Sequence, residues 1–240
     1  MDPIYLLVGA AAFLLAKKKT PTAASPEVSD KEGNKSAPPK QGPPTISSND
    51  RDRLILSFYN NDIPGLDFIA YARGVATPES NNRYRPFNQK AHDMGYPLGM
   101  NESGFVGMYQ VGAQGLEDQG FIKSGTWNRK GSGRNYKILT TQSNWTDKCP
   151  GGLEQFLNTP ALQEEAMVGF TKANYRCLKH YKVLTDASSA EEKAGYLAAS
   201  HLKGCGGGIA LHNKISQKDG NGTSTDTYYR IGANSQRGVA

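Results

Sequence analysis

From Thr20 to Asp50 the chain carries almost no large apolar side chain and is dominated by Pro, Ser, Lys and Gly, including the run SAPPKQGPP. A stretch of that composition cannot bury enough apolar surface to offset the entropy of ordering it, so it predicts an extended, disordered tether. The break confines any packed core to residues 51–240. Those 190 residues suit one domain of ordinary size, and they show no internal repeat.

The segment ahead of the tether is a different object. Met1–Ala16 reads MDPIYLLVGAAAFLLA and is followed by Lys17, Lys18 and Lys19. As a helix, the uncharged run from Ile4 to Ala16 spans roughly 20 Å against a hydrocarbon core of roughly 30 Å. Pro3, Tyr5 and snorkelling lysines extend that reach. Residues 1–19 therefore read as an N-terminal membrane-anchor helix with a basic flank. An uncleaved export signal and a buried packing helix are the alternatives. A cleavable signal would place its positive charge ahead of the apolar run, and here the order is reversed.

The domain is predicted to be mainly helical. RDRLILSFYNN places Leu54, Ile55, Phe58 and Tyr59 on one helical stripe. DFIAYARGVAT continues the pattern with Asp67 as N-cap, and Pro78 predicts that this helix ends or kinks just before Glu79. Leu153–Tyr181 is the clearest long helical region, broken once near Pro160. Ala190–Leu202 is another helix, stopped by the glycine-rich GCGGG, and Ile209–Ile215 resumes a short one. Trp127–Lys148 reads as a loop or small hairpin, with Asn135–Thr141 its best strand. The tail QKDGNGTSTDTYYRIG reads as turn-rich.

Net charge is +6, of which the last 190 residues, with 22 basic and 17 acidic side chains, contribute +5. That balance suits an anionic partner such as a cell wall or membrane surface, or solubility alone. The basic residues are scattered, without zinc-finger or RNA-recognition spacing, which argues against nucleic acid. Three widely spaced cysteines, Cys149, Cys177 and Cys205, argue against a disulfide framework or a zinc cluster. One bridge plus one free thiol stays open. There is no phosphate-binding glycine loop and no HExxH, so no cofactor and no metal is expected. DGNGTSTD at Asp219–Asp226 hints at a calcium loop. Arg230 stands where an EF-hand needs its last acid, so a polar turn is preferred. Cys177 and His180 suggest a Cys/His hydrolase, but one predicted helix is an unusual source for both a nucleophile and its base. Asn144-Trp-Thr matches a glycosylation sequon.

Glu79 is the most informative acid. It follows an apolar helical run, where partial burial can raise a carboxyl pKa enough to protonate a leaving oxygen near neutral pH. A lone Glu after a helix is more commonly a solvated end residue. Three motifs in order shift that weighting: ESNNRY at Glu79–Tyr84, GMYQVG at Gly107–Gly112, and LAASHLKGCGG at Leu197–Gly207. Together they resemble lytic transglycosylases of the lysozyme-like superfamily, which cut bacterial peptidoglycan.

The resemblance implies an α+β lysozyme-like catalytic domain over 51–240, with a small loop or hairpin region. Glu79 would be the sole acid/base, cleaving the MurNAc-GlcNAc bond while the C6 hydroxyl attacks to leave a 1,6-anhydro end. It implies substrate-binding roles for Ser80, Gly107, Tyr109, Gln110, Ser200 and His201, although Ser200 and His201 replace the family's usual Tyr-Asn pair. The chain also carries an apparent insertion, PFNQKAHDMGYPLGMNES, with a second Glu-Ser pair at Glu102. A hydrolysing muramidase would add a second carboxylate, for which Glu102 and Asp93 are the candidates. Lysines after the anchor sit awkwardly for a wall-cutting domain exported from a cell. A virion protein escapes that difficulty, so the expected setting is a virion membrane, with peptidoglycan glycan strands, lipid and other virion or envelope proteins as partners. A bacterial envelope or secretion-system enzyme, and a non-catalytic wall-binding membrane protein, are the alternatives.

Overall fold

The computed structural model describes residues 44–127 and 134–238. The anchor read for residues 1–19 and most of the tether read for 20–50 lie outside the described residues. Among the described residues the protein is mainly helical, and no helix is long and apolar enough to cross a membrane.

The chain enters helix α1 (Ser48–Phe58) with Ser47 as N-cap, its hydroxyl accepting from the Asp50 amide. Folded structure therefore begins slightly inside the stretch assigned to the tether. Helix α2 (Phe68–Ser80) starts at the expected cap, where Asp67 Oδ1 accepts from the Ala70 amide at 2.9 Å. It buries Phe68, Tyr71, Ala72, Val75 and Ala76, a stripe at helical spacing whose burial outweighs the propensity of the individual residues. The break expected before Glu79 does not occur: α2 runs through Pro78 to Ser80. Pro78 lies in the last turn, so its missing N–H removes one late hydrogen bond only. The left-handed Asn81, with φ 53°, then closes the end by donating to the Ala76 and Thr77 carbonyls.

Short helices α3 (Gln89–Asp93) and α4 (Ala113–Asp118) flank tight turns in which Val106 bridges to both Met100 and Val111. The segment read as a strand is helix α5 (Arg134–Thr140). Asn135, Ile138 and Leu139 are its buried face, an i, i+3, i+4 pattern. Burial of that face prevails over the β-propensity of Tyr136, Ile138 and the threonines, and among the described residues no neighbouring strand offers a ladder. Helices α6 (Gly152–Asn158) and α7 (Pro160–His180) match the long region broken at Pro160, which takes the first helical position of α7.

Helix α8 (Ala190–His212) departs from the expected stop. A capping box at Ser189 and Glu192 starts it, and it kinks at Lys203 and Gly204 rather than ending. Gly204 takes φ 68°, after which the glycines continue as helix. Cys205, just past the kink, is bridged to Cys177 of α7, so the kinked end is tied down covalently. Cys149 is free and buried. With Cys177 oxidised, the Cys/His hydrolase reading has no thiol nucleophile. Closing a loop with a sequence separation of 28 residues stabilises the fold by about 3.5 kcal/mol in the chain-entropy model. Cys177→Ser should therefore lower the Tm of the domain by about 10 °C, a loss that reductant reproduces in the wild type.

The tail read as turns ends in helix α9 (Thr225–Ser235), capped by Ser224. It packs on α8 and α2. Gly232 sits so close to Ala194 of α8 that a Cβ there would collide with the Ala194 carbonyl and the Ala198 methyl. Small residues thus bring the two backbones together, as ridge-in-groove packing of large side chains would not.

Candidate active site

The apolar stripe of α2 ends in Glu79, whose side chain is only 16 % exposed and lines a cleft of about 210 Å³. The Tyr228 hydroxyl of α9 donates to Glu79 Oε1. Burial pushes the Glu79 carboxyl up to about 7, against the Tyr228 hydrogen bond that pulls it down, and the Asp219 charge adds to the rise. Glu79 is thus populated in both protonation states near neutrality, as a group that must both give and take a proton requires.

One wall of the cleft is the segment read as an insertion, which contributes Pro86, Phe87, Asn88, Met100, Asn101 and Glu102. Phe87 is 56 % exposed. Glu102 accepts from the Asn88 amide at 2.9 Å and pairs with Lys90 at 3.7 Å. Gln110 also lines the cleft, with backbone φ 46° and its amide donating to the Gly107 carbonyl at 2.7 Å. The opposite lining comes from the turn before α9, through Asp219, Asn221 and Thr223. Asp219 Oδ1 accepts from the Asn221 and Thr223 amides at 2.9 and 2.8 Å, so the DGNGT part of DGNGTSTD forms a polar turn and its end opens α9. Among the described residues no group of three His, Cys, Asp or Glu could hold a metal ion.

Several residues assigned to substrate binding lie behind this surface instead. Ser80 is buried, donating to the Ala76 carbonyl and accepting from the Arg83 amide; it closes the helix end. Tyr109 is buried, and its hydroxyl donates to Glu164. Gly107, with φ 76°, allows the backbone to pass Gln163, whose Oε1 accepts from the Met108 amide at 2.7 Å; a Cβ at Gly107 would strike that amide side chain. Ser200 is fully buried and does not line the cleft. His201 is buried with Nε2 2.8 Å from the Tyr109 carbonyl and 3.7 Å from Glu79 Oε1. A carbonyl only accepts, so the ring proton sits on Nε2. Burial lowers the His201 pKa to about 4, so His201 presents a neutral ring to Glu79. Asp93 lies on the surface, 65 % exposed and paired with Gln89 and His92; it is not part of the cleft. Glu79, Gln110 and Glu102 are the sequence-assigned residues that the fold brings into one cleft.

Beneath the Gly107–Gly112 turn lies a buried charge network absent from the sequence reading. Glu164 of α7 is fully buried and accepts from Arg51 Nε at 3.1 Å, from the Tyr84 hydroxyl at 2.7 Å and from Tyr109. Arg51 also donates to Asn82 Oδ1 and to the Tyr109 hydroxyl, both at 2.9 Å. Burial pushes the Glu164 carboxyl up while Arg51 and the two tyrosines oppose it. The network ties α1, the end of α2 and α7 to the cleft turn. Tyr228 and Asp219 are also new to the site. The signal for Tyr228 was the Ser224 cap followed by Tyr228, Ile231 and Gly232 at helical spacing.

A larger hollow of about 380 Å³, lined by Asp62, Ile63, Lys172, Tyr175, Arg176 and Lys179, offers no comparable acid. Its carboxylate, Asp62, is paired with Lys172 at 2.6 Å, which lowers its pKa. Comparison of the chain with family models, with curated proteins and with solved structures finds no match.

Proposed function

We propose that the domain is a peptidoglycan lytic transglycosylase of lysozyme-like build, cleaving the MurNAc-GlcNAc bond with Glu79 as its single acid/base. The observation that carries the reading is the buried Glu79, poised near pH 7 in a polar cleft. Protonated Glu79 gives its proton to the glycosidic oxygen as the C1–O bond breaks and positive charge develops on the ring. The resulting carboxylate then takes the proton of the C6 hydroxyl as that oxygen bonds to C1. The fragment leaves with a 1,6-anhydro end and Glu79 is reset. Gln110 offers an amide beside the acid, and the exposed Phe87 ring offers a face on which a sugar can stack.

The Cys177–Cys205 bridge suits a protein that works outside a reducing cytosol. Together with the apolar, lysine-flanked residues 1–19, it favours a membrane-anchored enzyme acting at a cell wall. A virion carrying such an enzyme would use it to open a local hole during genome entry. Lipid and other virion or envelope proteins are its proposed partners. Hydrolysis by a muramidase is the second reading, favoured by the further carboxylates Glu102 and Asp219 in the cleft. Mass spectrometry of fragments released from purified sacculi separates the two. Anhydro-muropeptides are expected. Reducing ends alone would make the enzyme a hydrolase, and no release at all would remove the reading.

A further inference from the structure

The hollow of about 380 Å³ shares no lining residue with the Glu79 cleft. Its rim is basic. Lys172, Arg176 and Lys179 of α7 stand at i, i+4 and i+7, so one helix face presents all three. The opposite side is the loop between α1 and α2, through Asp62 and Ile63. That loop is pinned. The Tyr59 hydroxyl donates to the Ile63 carbonyl at 2.9 Å, and Lys193 of α8 donates to the Pro64 carbonyl at 2.7 Å. This part of α7 is pinned as well, because Cys177 is bridged to Cys205 of α8.

Two acids answer these cations, one for each lysine. Asp62 pairs with Lys172 at 2.6 Å, and Asp186 pairs with Lys179 at 2.6 Å while accepting from the Tyr175 hydroxyl. Both pairs are partly exposed, and solvent screening makes such pairs weak. Arg176, between the lysines, is exposed, and among the described residues its side chain forms no ion pair and no hydrogen bond. Lys193 also reaches the Asp186 carbonyl at 2.9 Å, so four cations face two carboxylates. A planar guanidinium with its fork unoccupied, flanked by two ammonium groups, fits the oxygens of a phosphate.

We propose that this hollow binds a phosphate-bearing chain, a polyol phosphodiester polymer, with Arg176 gripping one phosphate and Lys172 and Lys179 its neighbours. The three cations spread over roughly 10 Å of α7, a row that suits several linked anions better than a single ion. Nucleic acid is the disfavoured phosphodiester. Tyr175, the one aromatic side chain lining the hollow, is 5 % exposed and its hydroxyl is tied to Asp186, so no ring face is offered to a base. The site goes beyond the glycosidase reading and does not depend on it. Its consequence is retention: a domain gripped through α7 stays on an anionic polymer while the Glu79 cleft remains open.

Arg176→Gln in the full chain is the discriminating variant. The side chain is exposed and unpaired, so its loss should leave the Tm unchanged. Calorimetric titration with a poly(glycerol phosphate) oligomer at low salt should show wild-type binding that Arg176→Gln weakens about tenfold, and Lys179→Gln by a similar factor. Lys17, Lys18 and Lys19 remain in every variant, so the difference reports the hollow alone. Glu79→Gln should bind as the wild type does; loss of binding there would put the polymer in the cleft and overturn the proposal. Equal affinity in wild type, Arg176→Gln and Lys179→Gln overturns it too, as does tighter binding of a single-stranded oligonucleotide of equal charge. Because the readout is binding, a protein that cuts no sacculi still tests the hollow, and an inert hollow leaves the Glu79 assignment standing.

Discussion

Glu79→Gln should abolish release of wall fragments, by on the order of a thousandfold or more, and the variant should be more stable than the wild type above neutral pH. The first effect follows from removing the only acid/base of the proposed mechanism. The second follows from burial. The carboxyl is raised from 4.5 to about 7 in the folded protein. Its contribution to stability is thus fully present below pH 4.5, where folded and unfolded chains both hold the proton. As pH rises through 4.5 the unfolded chain releases that proton first, and stability falls until about pH 7. The total is up to about 3 kcal/mol. Gln accepts the Tyr228 hydrogen bond and carries no such slope. Thermal melts at pH 5 and pH 8 should show the variant pulling ahead only at the higher pH. Wild-type fragment release should fall as pH rises through about 7, tracking loss of the acid form. Clearing that survives Glu79→Gln places the chemistry elsewhere.

Glu164→Gln should unfold the domain more easily by about 3–5 kcal/mol, because it leaves the Arg51 guanidinium in the core without its counter-charge. Arg51→Met should cost a similar amount by stranding the carboxylate. The double variant should lose less than the two single losses added, since it removes both charges. Chemical denaturation of the four proteins measures this directly, and additive losses would show that the pair is not coupled. The damage should reach the cleft as well. Tyr109 hangs from Glu164 by its hydroxyl, and its carbonyl holds His201 against Glu79.

Elements built on a local apolar period were readable from the chain alone. Helices α1, α2, α6 and α7 fall where Ile55, Tyr71, Phe156 and Leu178 lie on buried stripes, and Asp67 announces the start of α2. Helix α9 carries a cap at Ser224 and a helical period through Tyr228 and Ile231, yet the polar turn ahead of it gives the tail a turn-rich reading. Its contact with α8 rests on Gly232, Ala194 and Ala198, small residues that carry little hydrophobic signal but permit close approach of backbones. The strand read for Asn135–Thr141 is a helix over residues 134–140, because tertiary burial of Asn135, Ile138 and Leu139 outweighs the β-propensity of Tyr136, Ile138, Thr140 and Thr141. In the site, Glu79 is singled out by its place after an apolar helical run together with the three ordered motifs, not by local context alone. Whether Ser80, Tyr109 and Ser200 face the cleft or the core depends on how α7, α8 and α9 pack, and spacing along the chain carries no record of that. Arg51 and Glu164 look like ordinary surface charges until a fold encloses them together.

Glu79 and Tyr228 stand 149 residues apart, and the second belongs to the last helix of the described residues. A copy cut short ahead of residue 219 would keep the acid yet lose the phenol above it and the turn beside it. Water would then reach the carboxyl, which would return to the ordinary range and stay idle at neutral pH. On the proposed reading, fragments and nascent chains that lack α9 would therefore be blunt.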